Sequence, residues 1–270
     1  MSGEKVTPIG RHIRSAAKPR ETVTRHLPED CPVLPLGGDG AQFWYLNAIG
    51  QLVVIGSQQH SKNVLTALFA PRVRWLCGQF PKTIDEDTGE AVDFKADRAS
   101  RALMEAAQAA GKSFEPADNI RGRGAWPGED GDLVVHLGSA ILRGGQPARP
   151  GLHGGRVYPL RPDRPAPAPD PQAAGAGGCA AELLDLIEAW AWAHAELHPR
   201  LLLGWICSAY ICGALPWRAH LWVVAPRGSG KSTFFSMLAD LMAKGEGIIA
   251  VEDASPAALR SKLQYDALPV

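Results

Sequence analysis

Apolar and polar positions change period several times along the chain, and each change predicts an element. In Phe43–Gly56, FWYLNAIGQLVVIG, two short apolar runs flank Asn47–Gly50, the pattern of two strands joined by a turn. Across Asp97–Ala110, Leu103, Met104 and Ala107 share one helical face, with Asp97 suited to the N-cap and Gly111 to the stop. Arg121–Gly138, RGRGAWPGEDGDLVVHLG, reads as strand, polar turn, strand. Together these predict a small α+β region. Arg161–Gly178 then holds Pro162, Pro165, Pro167, Pro169 and Pro171 followed by an Ala/Gly tail, which is the composition of a linker.

The remaining pattern alternates. Helices are predicted over Ala181–Leu197 and Pro199–Gly213, and a strand over His220–Ala225. A helix over Lys231–Lys244, a strand over Ile248–Glu252 and a helix over Pro256–Gln264 follow, with an apolar run opening at Ala267–Val270. Strands alternating with helices argue a parallel sheet with helices on both faces. The expected architecture is therefore α/β, an incomplete three-layer parallel sheet behind a smaller α+β domain, and the Gly-Ser-Gly-Lys-Ser run at 228–232 makes it resemble the P-loop NTPase kind. The expected divisions are an arm at 1–30, a domain at 31–160, a linker at 161–178, and a helical lead-in with the nucleotide domain at 179–270.

The strongest chemistry lies where the His220–Ala225 run meets the next helix, in LWVVAPRGSGKSTFF. Ala225, Pro226, Arg227, Gly228, Ser229, Gly230, Lys231, Ser232 and Thr233 form the pattern A-x-x-x-x-G-K-S, with Ala225 standing at the usual first glycine. Glycines let backbone N–H groups approach a phosphate without a Cβ clash, and the helix start adds further free N–H donors. Lys231 is the cation for the β- and γ-phosphates of ATP, Ser232 the hydroxyl for Mg²⁺, and Thr233 a secondary phosphate contact. A dinucleotide reading of Gly228, Gly230 and Thr233, with Glu252 about twenty residues on, lacks the third glycine.

Charge changes little in this picture. Lys+Arg and Asp+Glu are both 28, so any nucleic-acid contact must come from local patches. Lys5, Arg11, Arg14, Lys18, Arg20 and Arg25 make the N-terminal arm basic against Glu4 and Glu21, as in a solvated tail or a nucleic-acid contact. The five cysteines have no C-x-x-C spacing, a reducing-compartment pattern, and Cys207 and Cys212 are expected to be buried thiols. With no signal-peptide pattern the expected location is cytoplasmic. Leu201–Trp217 carries no charge but is short and contains Pro216, so a buried helix is expected rather than a membrane span.

Three other groupings have two readings each. Glu129, Asp130 and Asp132 with His136 could be a two-metal site, although the same residues suit a hairpin turn. Arg121, Arg123 and Trp126 could clamp a phosphate and stack a base, or be exposed arginines beside a packed ring. His194 and His198 lie four apart, but Ala195 stands where a zinc-protease motif needs glutamate.

RGRGAW with GDLVVHLG, LLLGWICSAYICGALPWRAHLWVVAPRGSGKST and VEDASPAALRSKLQYDALPV together resemble the ATPase, or helicase, part of primase–helicase-like replication proteins of phages, plasmids and other mobile elements. The likeness spans roughly residues 31–270 and is strongest from Leu201. It implies a ring-forming homo-oligomeric ATPase that moves along or opens DNA, with Lys231 and Ser232 as its triphosphate and Mg²⁺ contacts. The acidic strand of such ATPases would follow DALPV, and Asp266 precedes that strand, so the catalytic acids are expected beyond Val270. Two alternatives stay open: a phosphotransferase, and a nucleotide-dependent adaptor without turnover.

Overall fold

The computed structural model describes residues 27–110, 114–128, 131–167, 178–243, 247–249, 251 and 255–269. The N-terminal arm to residue 26, Gly111, the acids Glu129 and Asp130, most of the Pro/Ala/Gly segment and Glu252 lie outside them.

Alternating burial builds the first unit. β1 (Leu34–Gly38), β2 (Gln42–Leu46) and β3 (Leu52–Gly56) form an antiparallel sheet, with β2 and β3 joined through the Asn47–Gly50 turn. One face carries Phe43, Tyr45 and Ile55 onto α1 (Lys62–Phe69), α2 (Val73–Gln79) and α3 (Ala96–Ala110), which contribute Leu65, Phe69, Leu76 and Leu103. β4 (Pro81–Ile84) and β5 (Ala91–Phe94) make a hairpin between α2 and α3. The other face of the first sheet packs Trp44 and Leu46 on Ile120 and Val157. Period-two alternation thus serves two cores at once.

After α4 (Pro116–Asn119), β6 (Gly124–Pro127), β7 (Leu133–His136), β8 (Ile141–Arg143) and β9 (Gln146–Ala148) form an antiparallel meander, and β10 (Gly151–His153) pairs with β11 (Arg156–Tyr158). Residues 161–164 stay on this unit. Arg161 and Arg164 donate backbone N–H to Gly138 and Leu137, and Asp163 accepts from the Ser139 N–H at 2.7 Å.

The C-terminal part is a small helical core. α5 (Cys179–Glu188), α6 (His198–Tyr210) and α7 (Lys231–Leu241) bury Ile187, Leu202, Ile206, Phe234 and Leu238 together, and α8 (Pro256–Leu263) follows. The sequence reading extends α5 to Leu197. It stops earlier because Trp192 turns inward and its Nε1 donates to the Ile187 carbonyl at 2.7 Å, at the helix C-terminus. Of the two cysteines expected to be buried, Cys212 is and Cys207 is exposed. No helix among the described residues is long and apolar enough to cross a membrane.

The expected three-layer parallel sheet of the P-loop NTPase kind is not there. Every ladder among the described residues is antiparallel, in sheets of three, two, four and two strands. The only parallel pairings are isolated bridges, Ile120 with Val157 and Gly124 with Ala267. The physical reason lies in the partners. A parallel ladder needs its neighbours delivered by crossover units. Here Ala267 donates its N–H to Arg123 at 2.7 Å, and Ile249 donates to Pro269 at 3.0 Å. Those segments have joined each other and the β6 edge. Leu221–Val224 is left apart with no ladder partner among the described residues, so it is not a strand.

Candidate functional site

The loop itself forms as its residues dictate. Gly228 and Gly230 have φ of 78° and 84°, left-handed conformations that an L side chain adopts at a cost. Gly230 is the N-cap of α7 and accepts the Phe234 N–H at 2.9 Å. It offers no side chain to the first turn, and no acid lies in that turn. The N–H groups of Lys231, Ser232 and Thr233 therefore have no protein acceptor among the described residues. This concentrates positive potential at one point.

Side chains around the loop hold it in place. Trp190 and Trp192 each meet the Phe234 ring at 5.9 Å, edge to face, and the Trp190 indole nitrogen lies against Gly230. Lys231, half-buried, donates from Nζ to the carbonyl of Ala225, closing the ends of the loop on each other. Pro226, Arg227, Gly228, Ser229, Ser232 and Thr233 are exposed. Of the nine residues expected at this site, Ala225 to Thr233, all are thus on one continuous surface turn at a helix start.

Beside the loop, a cavity of about 810 Å³ opens between α6, α7, Leu221, Ile248, Ile249, Val251, Leu268 and Pro269, with Ser232 on its wall. Among the described residues that line it there is no carboxylate. No grouping of three potential metal ligands occurs among the described residues. Asp266 is fully engaged elsewhere. It accepts from the Arg123 backbone N–H at 2.7 Å, from Nε at 2.9 Å and from Nη2 at 2.8 Å, and its side chain is only 5% exposed. The residues present fit a magnesium ion that arrives on a triphosphate and keeps its waters, with the Ser232 hydroxyl as the chain's own ligand.

The other sequence candidates separate. Arg123 is committed to Asp266, whereas Arg121 lies over the Trp126 ring, 4.9 Å from its centroid. Trp126 Nε1 donates to the Gly122 carbonyl at 2.8 Å. Asp132 immediately precedes β7, its Oδ1 buried with no hydrogen-bond partner among the described residues, and His136 at the end of β7 is fully buried against Tyr158, 5.9 Å between rings. No contact joins the two. Burial pushes the His136 pKa down, outweighing the nearby Gly122 and Gly138 backbone, and neither ring nitrogen reaches hydrogen-bond geometry. His194 and His198 pack edge to face at 5.0 Å. Sequence reasoning missed Trp190 and the Arg123–Asp266 pair. The pair spans 143 residues and has no local signal.

No protein-family model, curated protein or solved structure matches the chain.

Proposed function

We propose that Ala225–Thr233 binds the phosphates of ATP, delivered as its magnesium complex, and that the chain is the ATPase part of a helicase-type motor acting on DNA in mobile-element replication. The observation that supports this best is the pair of left-handed glycines leading into an α7 whose first three N–H groups have no acceptor among the described residues. In this reading Lys231 exchanges the Ala225 carbonyl for the β- and γ-phosphates, and Ser232 takes one coordination position of the ion. The phosphate charge is met by fixed donors rather than by reorganising water. Oligomerisation into a ring belongs to the same proposal.

A second reading, a nucleotide-dependent adaptor without turnover, shares the phosphate contacts of Ala225–Thr233 and differs from the first in hydrolysis alone. Hydrolysis needs a group that orients the attacking water. Calorimetric titration of Mg-ATP into the wild-type chain and Lys231→Ala tests the binding. Affinity should fall at least about tenfold in the variant, since a charge-assisted contact is lost. Equal affinities would refute the assignment. Phosphate release on the wild-type chain, with and without single-stranded DNA, then separates motor from adaptor.

A further inference from the structure

Charge is unevenly distributed along the chain outside the loop. Between Ile141 and Arg164 the chain carries Arg143, Arg149, Arg156, Arg161 and Arg164 against a single acid, Asp163, with no lysine. In a chain whose total charges balance, this is a local excess. The short hairpins β8–β9 and β10–β11, closed at Gly144–Gly145 and Gly154–Gly155, present part of it.

The fold adds Arg121 to this set. Trp126, Val134 and Arg143 stand directly opposite one another across β6, β7 and β8, so their side chains share one face of the meander, where Tyr158 packs with Val134 and Trp126. Arg121 lies over Trp126, and Arg121, Arg143 and Arg156 all act electrostatically on Tyr158, whose ring also has His153 at 6.0 Å. None of the three arginines forms an ion pair among the described residues. Arg121 spends Nη1 on the carbonyls of Ala117 and Ile120, and Arg156 spends Nη1 on that of Asp118, all at the end of α4. Their other guanidinium nitrogens, and all of Arg143's, have no hydrogen-bond acceptor among the described residues. The acids in range, Asp118 and Asp132, pair with none of them. Burial, and then the neighbouring Arg156, disfavour the Arg121 cation, a cost that an anion between the two would relieve.

We propose that Arg121, Arg143 and Arg156, with the half-buried Trp126 ring under Arg121, form a face that binds single-stranded nucleic acid through its phosphates. Guanidinium forks match phosphate oxygens in pairs, which ammonium groups do not. A guanidinium stacked on tryptophan supplies a flat surface beside the phosphate contacts, where a base can stack without sequence preference. This face does not depend on the nucleotide loop.

Fluorescence anisotropy of a labelled oligo(dT) with the whole chain, in a KCl series without nucleotide, tests it. Because no nucleotide is present, a failed Mg-ATP titration has no bearing on the result. Binding should weaken linearly in log salt, with the slope reduced by about 0.7 for each phosphate contact removed. The double variant R143Q/R156Q should bind at least about tenfold more weakly at low salt, given the strength of charge-assisted contacts. If that variant unfolds, R143Q alone decides, because the Arg143 side chain makes no hydrogen bond or ion pair among the described residues; it should lower the slope with an unchanged melting temperature. No binding at the lowest salt, or an R143Q slope equal to wild type, overturns the proposal. Tighter binding to phosphatidylserine vesicles than to oligo(dT) also overturns it and makes the face a membrane contact.

Discussion

His136 shows how one side chain reports on the packing around it. Its ring is fully buried beside Tyr158, and burial holds its pKa below the ordinary 6.5. His60 is shifted the same way by burial, while its ring bridges the Tyr45 hydroxyl and the Gly56 carbonyl, each at 3.0 Å. A histidine whose folded pKa is depressed stabilises the fold fully above its unfolded pKa. That contribution is lost as pH falls from about 6.5 towards the folded value. Urea midpoints should therefore drop between neutral and mildly acidic pH, at up to about 1.4 kcal/mol per pH unit for each histidine protonated on unfolding. His136→Gln should flatten that slope while lowering stability at neutral pH. A slope in the variant equal to wild type would remove His136 from the account.

At the scale of elements, the segment entering the phosphate loop is the one whose environment departs furthest from its sequence. Leu221 and Val223 pack on the α5–α6–α7 core, whereas Trp222 and Val224 are 88% and 80% exposed. The backbone of Leu221–Val224 has no hydrogen-bond partner among the described residues, so what organises the loop is α7 and its aromatic clamp rather than a sheet. Hydrogen exchange should find the amides of Trp222 and Val224 unprotected, while Leu238 and Ala239 within α7 exchange far more slowly. Protection at Trp222 and Val224 in dilute protein would mean that this run is paired after all.

Across the whole molecule, the Arg123–Asp266 pair joins the meander to the C-terminal segment. Arg164 strengthens its importance. It is 9% exposed and its Nε and Nη1 have no acceptor among the described residues; burial and then Arg123 disfavour its charge, while Asp266 is an acid that favours it. Asp266→Ala removes the acid partner of the largely covered Arg123 and the favourable charge near the buried Arg164. Removing one member of a buried pair costs about 3–5 kcal/mol. Denaturant unfolding followed both by Trp fluorescence and by far-UV circular dichroism should show that loss. A change below about 1 kcal/mol, the range of a surface ion pair, would mean the pair is not structural.

Local chemistry alone determined several parts of this protein. The turn at Asn47–Gly50 sets β2 against β3, the apolar face of Ala96–Ala110 carries Leu103 and Ala107 into the core, and Gly228, Gly230 and Lys231 make a turn that opens a helix. Each of these depends on φ preferences and side-chain period within a few residues. The arginine excess in 141–164 can be counted along the chain but no pattern singles it out, and which arginines meet around Tyr158 has no local signal. Tertiary structure decided the partners. The strand–loop–helix pattern around Lys231 is compatible with a parallel sheet, but a ladder exists only where a second segment arrives in register. Ala267 went to Arg123 and Ile249 to Pro269, leaving Leu221–Val224 with neither. Asp266, adjacent in sequence to an apolar run, became the buried counter-ion of a residue 143 positions away. Pairing and charge burial are settled by what the folded chain brings within a few ångströms, and residues so far apart carry no sequence period that records it.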